Sequence, residues 1–237
     1  MPDNLQLRKV VLLPGMDGTG ELFVPFIEAL PAPFETITAH FPPDSCLSYS
    51  QLGGIVQPLL PVSEPFVLLA ESFSTPLALQ CAAAKPPNLK GLVICAGFAT
   101  SPVRGWKHSI LRLLVPLLFR FDLPTSLARR LLVGSDAPSA LLTRVKSAIS
   151  SVQPVVLSDR LRSILDCDAR AELARINVPV LYLLAANDRL VPAWCSEDMN
   201  KIRPEMVIVA IYGPHLLLQR EPRQTANAVA NFIRQLG

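Results

Sequence analysis

The chain has 237 residues, half of them hydrophobic and 17% charged, with a formal net charge of +3. So much apolar material excludes a disordered chain, a coiled coil or a collagen-like rod, and so small a charge excess speaks against a dedicated nucleic-acid binder. The length suits one medium domain, or one core carrying a modest insertion.

In chain order, Lys9–Leu13 reads as a strand closed by Pro14-Gly15, residues 21–30 as a helix, and Phe34–Ala39 as a second strand. Helical spacing returns between Tyr49 and Leu60. Pro65–Ala70 makes a third strand, an Ala-rich helix from Pro76 to Lys85 stops at Pro86-Pro87, and Leu89–Ala96 is the next strand. These runs are nearly all apolar rather than alternating, as parallel strands covered on both faces require. The order of elements predicts an α/β sheet with crossover helices.

After Ala96 the alternation stops. Residues 103–170 show helical segments broken at Pro116, Pro124, Pro138 and Pro154, and no strand. The strand pattern resumes at Asn177–Leu184, followed by a helix at 194–202, a strand at Met206–Tyr212 and a closing helix at 222–235. The division expected is a core in two parts, 1–102 and 171–237, interrupted by a helical cap at 103–170. Charge agrees with it: the stretch 103–170 holds eleven Lys/Arg against five Asp, a surplus of six, on a core that is mildly acidic. Its arginines read as solvated helix faces or, alternatively, as a surface that steers an acidic carrier protein or an anionic lipid surface toward the site.

The five cysteines show neither C-x-x-C nor zinc-ligand spacing, so neither a disulfide framework nor a metal site is expected. Met1-Pro2-Asp3-Asn4 lacks the basic and apolar regions of a secretory signal, and a cytoplasmic location is the expectation. The apolar run Leu113–Phe119 falls far short of the roughly 20 residues that span a bilayer.

The strongest local signal is Leu69-Ala70-Glu71-Ser72-Phe73-Ser74, which joins a predicted strand directly to a predicted helix. A serine on so sharp a turn is lifted clear of the sheet, and the residues two positions either side must be small; Ala70 and Ser74 stand where glycine is usual. The same serine also reads as an ordinary helix cap. A nucleophilic hydroxyl needs a base, and in sheet hydrolases the order along the chain is serine, acid, histidine. Of His40, His108 and His215, only the last two follow Ser72, and His108 falls in the helical insertion. His215 lies just past the last strand. Asp188 ends the preceding strand, 27 residues earlier. The carboxyl ends of parallel strands share one edge, so Ser72, Asp188 and His215 can converge there. Backbone N–H groups of Phe73 and of Met16, in the glycine-rich loop Leu13–Gly20, are the candidate oxyanion donors. That loop lacks the Gly-Lys-Ser/Thr ending of a phosphate cradle.

With the Pro14-Gly15-Met16-Asp17-Gly18 loop, the Ser72 elbow, the helical insertion, Asn187–Pro192 and Gly213-Pro214-His215, the sequence resembles the α/β-hydrolase superfamily over nearly its whole length. It looks like the small capped carboxylesterases, including those that cleave the pimeloyl-carrier-protein methyl ester. Two departures stand out: Pro14 replaces a frequent histidine, and the chain starts at the strand that members usually place third. The resemblance implies a mostly parallel sheet of about six strands and a serine esterase that works through an acyl-enzyme, with no metal or organic cofactor. A ligand-binding receptor with little turnover, or an acyltransferase, thioesterase or lyase using the same serine, are the alternatives. The substrate expected is a small-molecule ester of an apolar acyl group. Among the apolar side chains of the insertion, most serve to pack it on the core, and Trp106, Ile110, Leu114 and Leu118 are the candidates to line the pocket.

Overall fold

The computed structural model describes residues 7–119 and 125–236; Met1–Asn4, Arg120, Phe121 and Pro124 lie outside them. The apolar runs form β1 (Lys9–Leu13), β2 (Glu35–Thr38), β3 (Phe66–Glu71), β4 (Leu89–Cys95), β5 (Val180–Ala185) and β6 (Val207–Ile211). All pair in parallel, in the order β2-β1-β3-β4-β5-β6. Every residue of β3 is buried, because helices cover the sheet on both faces.

Successive side chains of a strand point to opposite faces, and the two apolar layers follow that period of two. Val11, Leu13, Leu68, Ala70, Leu92 and Ile94 face α2 (Tyr49–Val56), α3 (Thr75–Ala83), α8 (Arg170–Arg175) and α9 (Trp194–Ile202). Val10, Leu12, Val67, Leu69, Val93 and Cys95 face α1 (Val24–Ala29), the short α10 (Leu217–Arg220) and α11 (Pro222–Leu236). Since β2 lies on one side of β1 and β3 on the other, the winding reverses between β1 and β3. Ligands of open parallel sheets bind outside the carboxyl ends at such a reversal.

Between β4 and β5 the chain runs through α4 (Trp106–Leu118), α5 (Thr125–Ala128), a π turn at Arg129–Val133, α6 (Ser139–Ser150), α7 (Pro154–Asp166) and α8. Entry and exit are tied together: the Ala169 amide donates to the Ala99 carbonyl at 2.7 Å, beside an antiparallel bridge of Thr100 with Asp168. The insertion packs into the main core through Ile164 of α7 and meets it again in two small apolar clusters. One packs Val133, Leu142 and Val145 with Leu22 and Leu216, and the other packs Val152, Val156 and Leu157 against Met16. The exposed Cys46 thiol, in the loop after β2, donates to the Val155 carbonyl at 3.8 Å and adds a polar contact at the same seam.

The expected breaks at Pro138 and Pro154 hold, and the one at Pro116 does not. Helix α4 runs through Pro116 instead of breaking there, since near the end of a helix the missing N–H removes a single bond to the carbonyl four residues back. Pro138 precedes α6 and Pro154 opens α7, positions where an N–H has no intrahelical acceptor anyway. Short α8, at the junction of insertion and core, lies where the sequence pattern signalled neither strand nor helix.

Candidate active site

Strand β3 ends at Glu71, and the chain turns at once through Ser72–Ser74 into α3. Ser72 takes a φ of +48°, in the left-handed region, which costs a β-carbon-bearing residue about 1–3 kcal/mol and persists only where the surroundings enforce it. The enforcement is visible. Ala70 and Ser74 are fully buried, and the Ser74 hydroxyl donates to the Pro14 carbonyl, tying the turn to the loop after β1.

The Ser72 hydroxyl stands 2.9 Å from Nε2 of His215, whose Nδ1 is 2.7 Å from Oδ2 of Asp188. Asp188 is fixed in turn, its Oδ1 accepting from the amides of Leu190 (2.8 Å) and Val191 (2.9 Å). The loops that carry the acid and the histidine are bonded to each other, the Asn187 amide donating to the Gly213 carbonyl at 2.9 Å. The carboxylate keeps the ring proton on Nδ1 and leaves Nε2 as an acceptor facing Ser72. Burial pushes the His215 pKa down, but the charge and hydrogen bond of Asp188, with a contribution from Glu71, outweigh it and leave the pKa raised.

Glu71, the residue before Ser72, is a buried carboxyl that sequence reasoning missed. Its Oε2 accepts from Gln219 Nε2 at 3.2 Å, and its Oε1 has no protein partner. Burial pushes its pKa up to about 7, opposed by His215 and Gln219.

In the loop after β1, the Gly18 amide closes a turn on the Gly15 carbonyl at 3.0 Å, and the Asp17 carboxylate accepts from the Thr19 amide at 2.9 Å. Gly18 has a φ of +72°, and a β-carbon there would lie 2.8 Å from Arg160 Nη1. Met16 borders the cleft beside Ser72. The Phe73 ring is buried against Phe41 and Tyr49, with centroids at 6.3 and 5.2 Å, and its carbonyl accepts from the Tyr49 hydroxyl at 2.9 Å.

A cavity of about 250 Å³ opens above Ser72 and His215. Its floor includes Gly15 and Met16, and its walls are apolar: Phe98 and Val191 from the core, Leu111, Val145, Ile149 and Ile164 from the insertion. None of Trp106, Ile110, Leu114 and Leu118, the expected lining, borders it. All four are exposed, Trp106 to 70%. Helical phase explains part of this: α4 turns Leu111 into the cavity and buries Val115 one turn on. At about 100° per residue Trp106 and Ile110 then face away, while Leu114 and Leu118 lie nearer that face and still stay outside the lining. Arg160 also departs from the expected solvated surface. It is 3% exposed, and it lies on the same side of α7 as Leu157 and Ile164, spacing from which its burial was readable.

Among the described residues no three His, Cys, Asp or Glu side chains are grouped as metal ligands, and no helix is long and apolar enough to cross a membrane.

Comparison with known proteins places these features in context. The chain is similar to the "Biotin biosynthesis bifunctional protein BioHC" of Cellvibrio japonicus, 27% identical over 181 residues, a match that covers 73% of this chain and only 36% of that protein's length. Among solved structures it is similar to a bromoperoxidase from Bacillus anthracis (TM-score 0.82, 16% identity, 97% of this chain and 92% of that one). It is similar also to a thermophilic esterase from Thermogutta terrifontis (TM-score 0.80, 18% identity, 98% and 91%). At such identities the structural likeness is one of fold. A model of the "Alpha/beta hydrolase family" matches residues 10–228, from inside β1 to inside α11. A match of that extent takes in both halves of the sheet and everything between them, and the chain therefore belongs to the alpha/beta hydrolase family.

Proposed function

We propose that the protein is a serine carboxylesterase acting on esters of small to medium apolar acyl groups. The observation that carries this reading is the unbroken hydrogen-bonded line from Ser72 through His215 to Asp188, at 2.9 and 2.7 Å. Ser72 Oγ attacks the ester carbonyl while His215 Nε2 takes its proton, and Asp188 steadies the imidazolium that results. His215 then protonates the leaving alcohol, and the acyl group stays on Ser72. Water, deprotonated by the same nitrogen, releases the acid.

The tetrahedral oxyanion is held by the amides of Met16 and Phe73. The Phe73 amide opens the turn that leads into α3, where the first N–H groups have no intrahelical acceptor. The acyl group enters the apolar cavity, and the insertion over residues 103–170 acts as the cap that excludes water from it. The esterase neighbour shares the fold and supports this class of chemistry.

The test is hydrolysis of p-nitrophenyl esters of increasing acyl length by the wild type and by Ser72→Ala. Loss of about 10³-fold or more is expected, because such a triad acts as a unit. Unchanged hydrolysis in Ser72→Ala would overturn the assignment. A burst of one equivalent without turnover would mean that Ser72 is acylated and not released, and would convert the reading to a receptor-like hydrolase.

A further inference from the structure

Helix α4 is apolar on two sides. On its inner side Leu111 lines the cavity, Val115 is fully buried, and His108 Nε2 lies 2.9 Å from the Leu165 carbonyl. On the outer side Trp106, Ile110, Leu113, Leu114 and Leu117 recur at steps of three and four, which places them on one stripe of a 3.6-residue helix. That stripe faces solvent, with Trp106 at 70% and Leu113 at 77% exposure. Single exposed leucines are ordinary, whereas a contiguous apolar stripe marks a surface that meets something apolar.

Charge identifies the occupant. Helix α4 carries Lys107 and Arg112 and no carboxylate, and Arg104 stands just before it. The acids that face these groups come from other elements: Asp166 of α7 pairs with Arg112, and Asp198 of α9 pairs with Arg104. Lys107 Nζ instead lies 5.9 Å from the Trp106 ring centroid, at the end of the stripe. By sequence, residues 103–170 hold eleven Lys/Arg against five Asp, and with Arg160 buried the surplus still leaves this part of the chain basic. A second copy of the chain laid stripe to stripe would bring two such basic surfaces together, and same-sign charge opposes that pairing. A surface with an anionic face and an apolar interior satisfies both features at once.

We propose that α4 docks the protein on an anionic lipid bilayer, lying in the interface with Trp106 at headgroup level and Ile110, Leu113 and Leu117 in the acyl boundary. Thirteen residues make a helix about 20 Å long, too short to span and suited to lying flat. The same helix roofs the cavity from its other side, so docking brings the cavity within about one helix diameter, 10–12 Å, of the bilayer. This inference concerns binding and stands apart from the proposed hydrolysis.

The experiment is co-sedimentation of the full chain with vesicles of pure phosphatidylcholine and of phosphatidylcholine with 30% phosphatidylglycerol. The wild type is expected to bind the anionic vesicles at least tenfold more tightly than the neutral ones, with Trp106 fluorescence shifting to the blue and Trp106→Phe removing that shift. The double variant Leu113→Ser/Leu117→Ser, whose side chains are exposed, is expected to lose binding while its unfolding midpoint stays unchanged. Lys107→Glu is expected to weaken binding and to reduce its dependence on salt. Failure to bind either vesicle, equal binding to both, or full binding by the double variant would overturn the proposal. So would a dimer in light scattering that the double variant abolishes, because a second copy would then be the occupant. Capture by an acidic acyl-carrier protein with no vesicle binding would overturn it in favour of that protein.

Discussion

The guanidinium of Arg160 donates from Nη1 to the carbonyl of Met16 at 2.8 Å, so a residue of α7 holds the loop that follows β1. The same nitrogen reaches the Asp17 carbonyl at 3.0 Å, and Nη2 reaches the Pro42 carbonyl at 2.8 Å. Phe41 and Phe73 flank the group at about 6 Å. Burial lowers the Arg160 pKa, with the nearby Asp17 charge opposing the shift. A buried cation held by carbonyls is stable only while all of them stay in place.

Arg160→Met strips these carbonyls of their donor, and each buried acceptor left unpaired costs about 1–3 kcal/mol. The expected outcome is a lower unfolding midpoint together with a fall in kcat of about 10- to 100-fold and little change in KM. A displaced oxyanion amide is felt in the transition state rather than in substrate binding. Steady-state kinetics on a p-nitrophenyl ester makes the check: a rise in KM at constant kcat would show that Arg160 shapes the pocket and not the loop.

Gly18→Ala attacks the same junction from the other side. The φ of +72° costs an L-residue about 1–2 kcal/mol, and the new β-carbon would lie 2.8 Å from Arg160 Nη1. Thermal unfolding should show a loss, and the accompanying fall in kcat should be smaller in an Arg160→Met background, where the contact with the guanidinium is gone and only the one with Phe41 Cβ, at 2.9 Å, is left. Strictly additive effects would separate the two residues.

Glu71 and His215 set two pH responses. In the folded chain the Glu71 carboxyl has its pKa pushed up to about 7, chiefly by burial, against an ordinary value of 4.5. Between those values the unfolded chain releases this proton and the folded chain keeps it, so stability falls as pH rises through that window. Glu71→Gln should flatten the fall in unfolding midpoint over that range. For His215 the pKa is raised above 6.5, so its protonation favours the fold below that value and the favour is lost as pH climbs through the folded pKa. The neutral ring needed as a base appears only above that point, and the acid limb of kcat/KM should lie above pH 6.5. Because the Glu71 charge contributes to the raised pKa, Glu71→Gln should move the limb to lower pH. A limb that does not move would remove Glu71 from the site's electrostatics.

Val145, on α6, borders the cavity and is itself buried. Val145→Phe fills part of the space, at an overpacking cost of about 1–3 kcal/mol. The ratio of kcat/KM for butanoyl over octanoyl p-nitrophenyl esters should rise at least fivefold. An unchanged ratio would place the acyl chain elsewhere.

How far the sequence could be read depended on periodicity. The strands were legible because a parallel strand buried on both faces is an unbroken apolar run, and β3 is buried at every position. The convergence of Ser72, Asp188 and His215 was legible because topology alone sends the ends of β3, β5 and β6 to one edge. The lining of the cavity was not legible, because α4 is apolar over most of its circumference and composition does not say which phase faces in: Leu111 does, while Ile110 and Leu114 do not. Arg160 was hidden for the opposite reason. Its charge suggested a surface, while its spacing from Leu157 and Ile164 placed it inside. Glu71 went unnoticed between two residues of a motif that constrains only its neighbours.

The contact of Cys46 with the Val155 carbonyl gives the protein a built-in reporter. Burial keeps the Cys81, Cys167 and Cys195 thiols protonated, at about 11, 12 and 12, and raises Cys95 well above the ordinary thiol value. Cys46 is the exposed thiol of the five. A maleimide dye added to the native chain near pH 7 should therefore attach at one place, without prior removal of other cysteines. That place is the seam where the loop after β2 meets α7, close in sequence to Pro42, which Arg160 grips. A change in the dye's emission or anisotropy would follow any parting of the two surfaces in real time, with no engineered residue in the molecule.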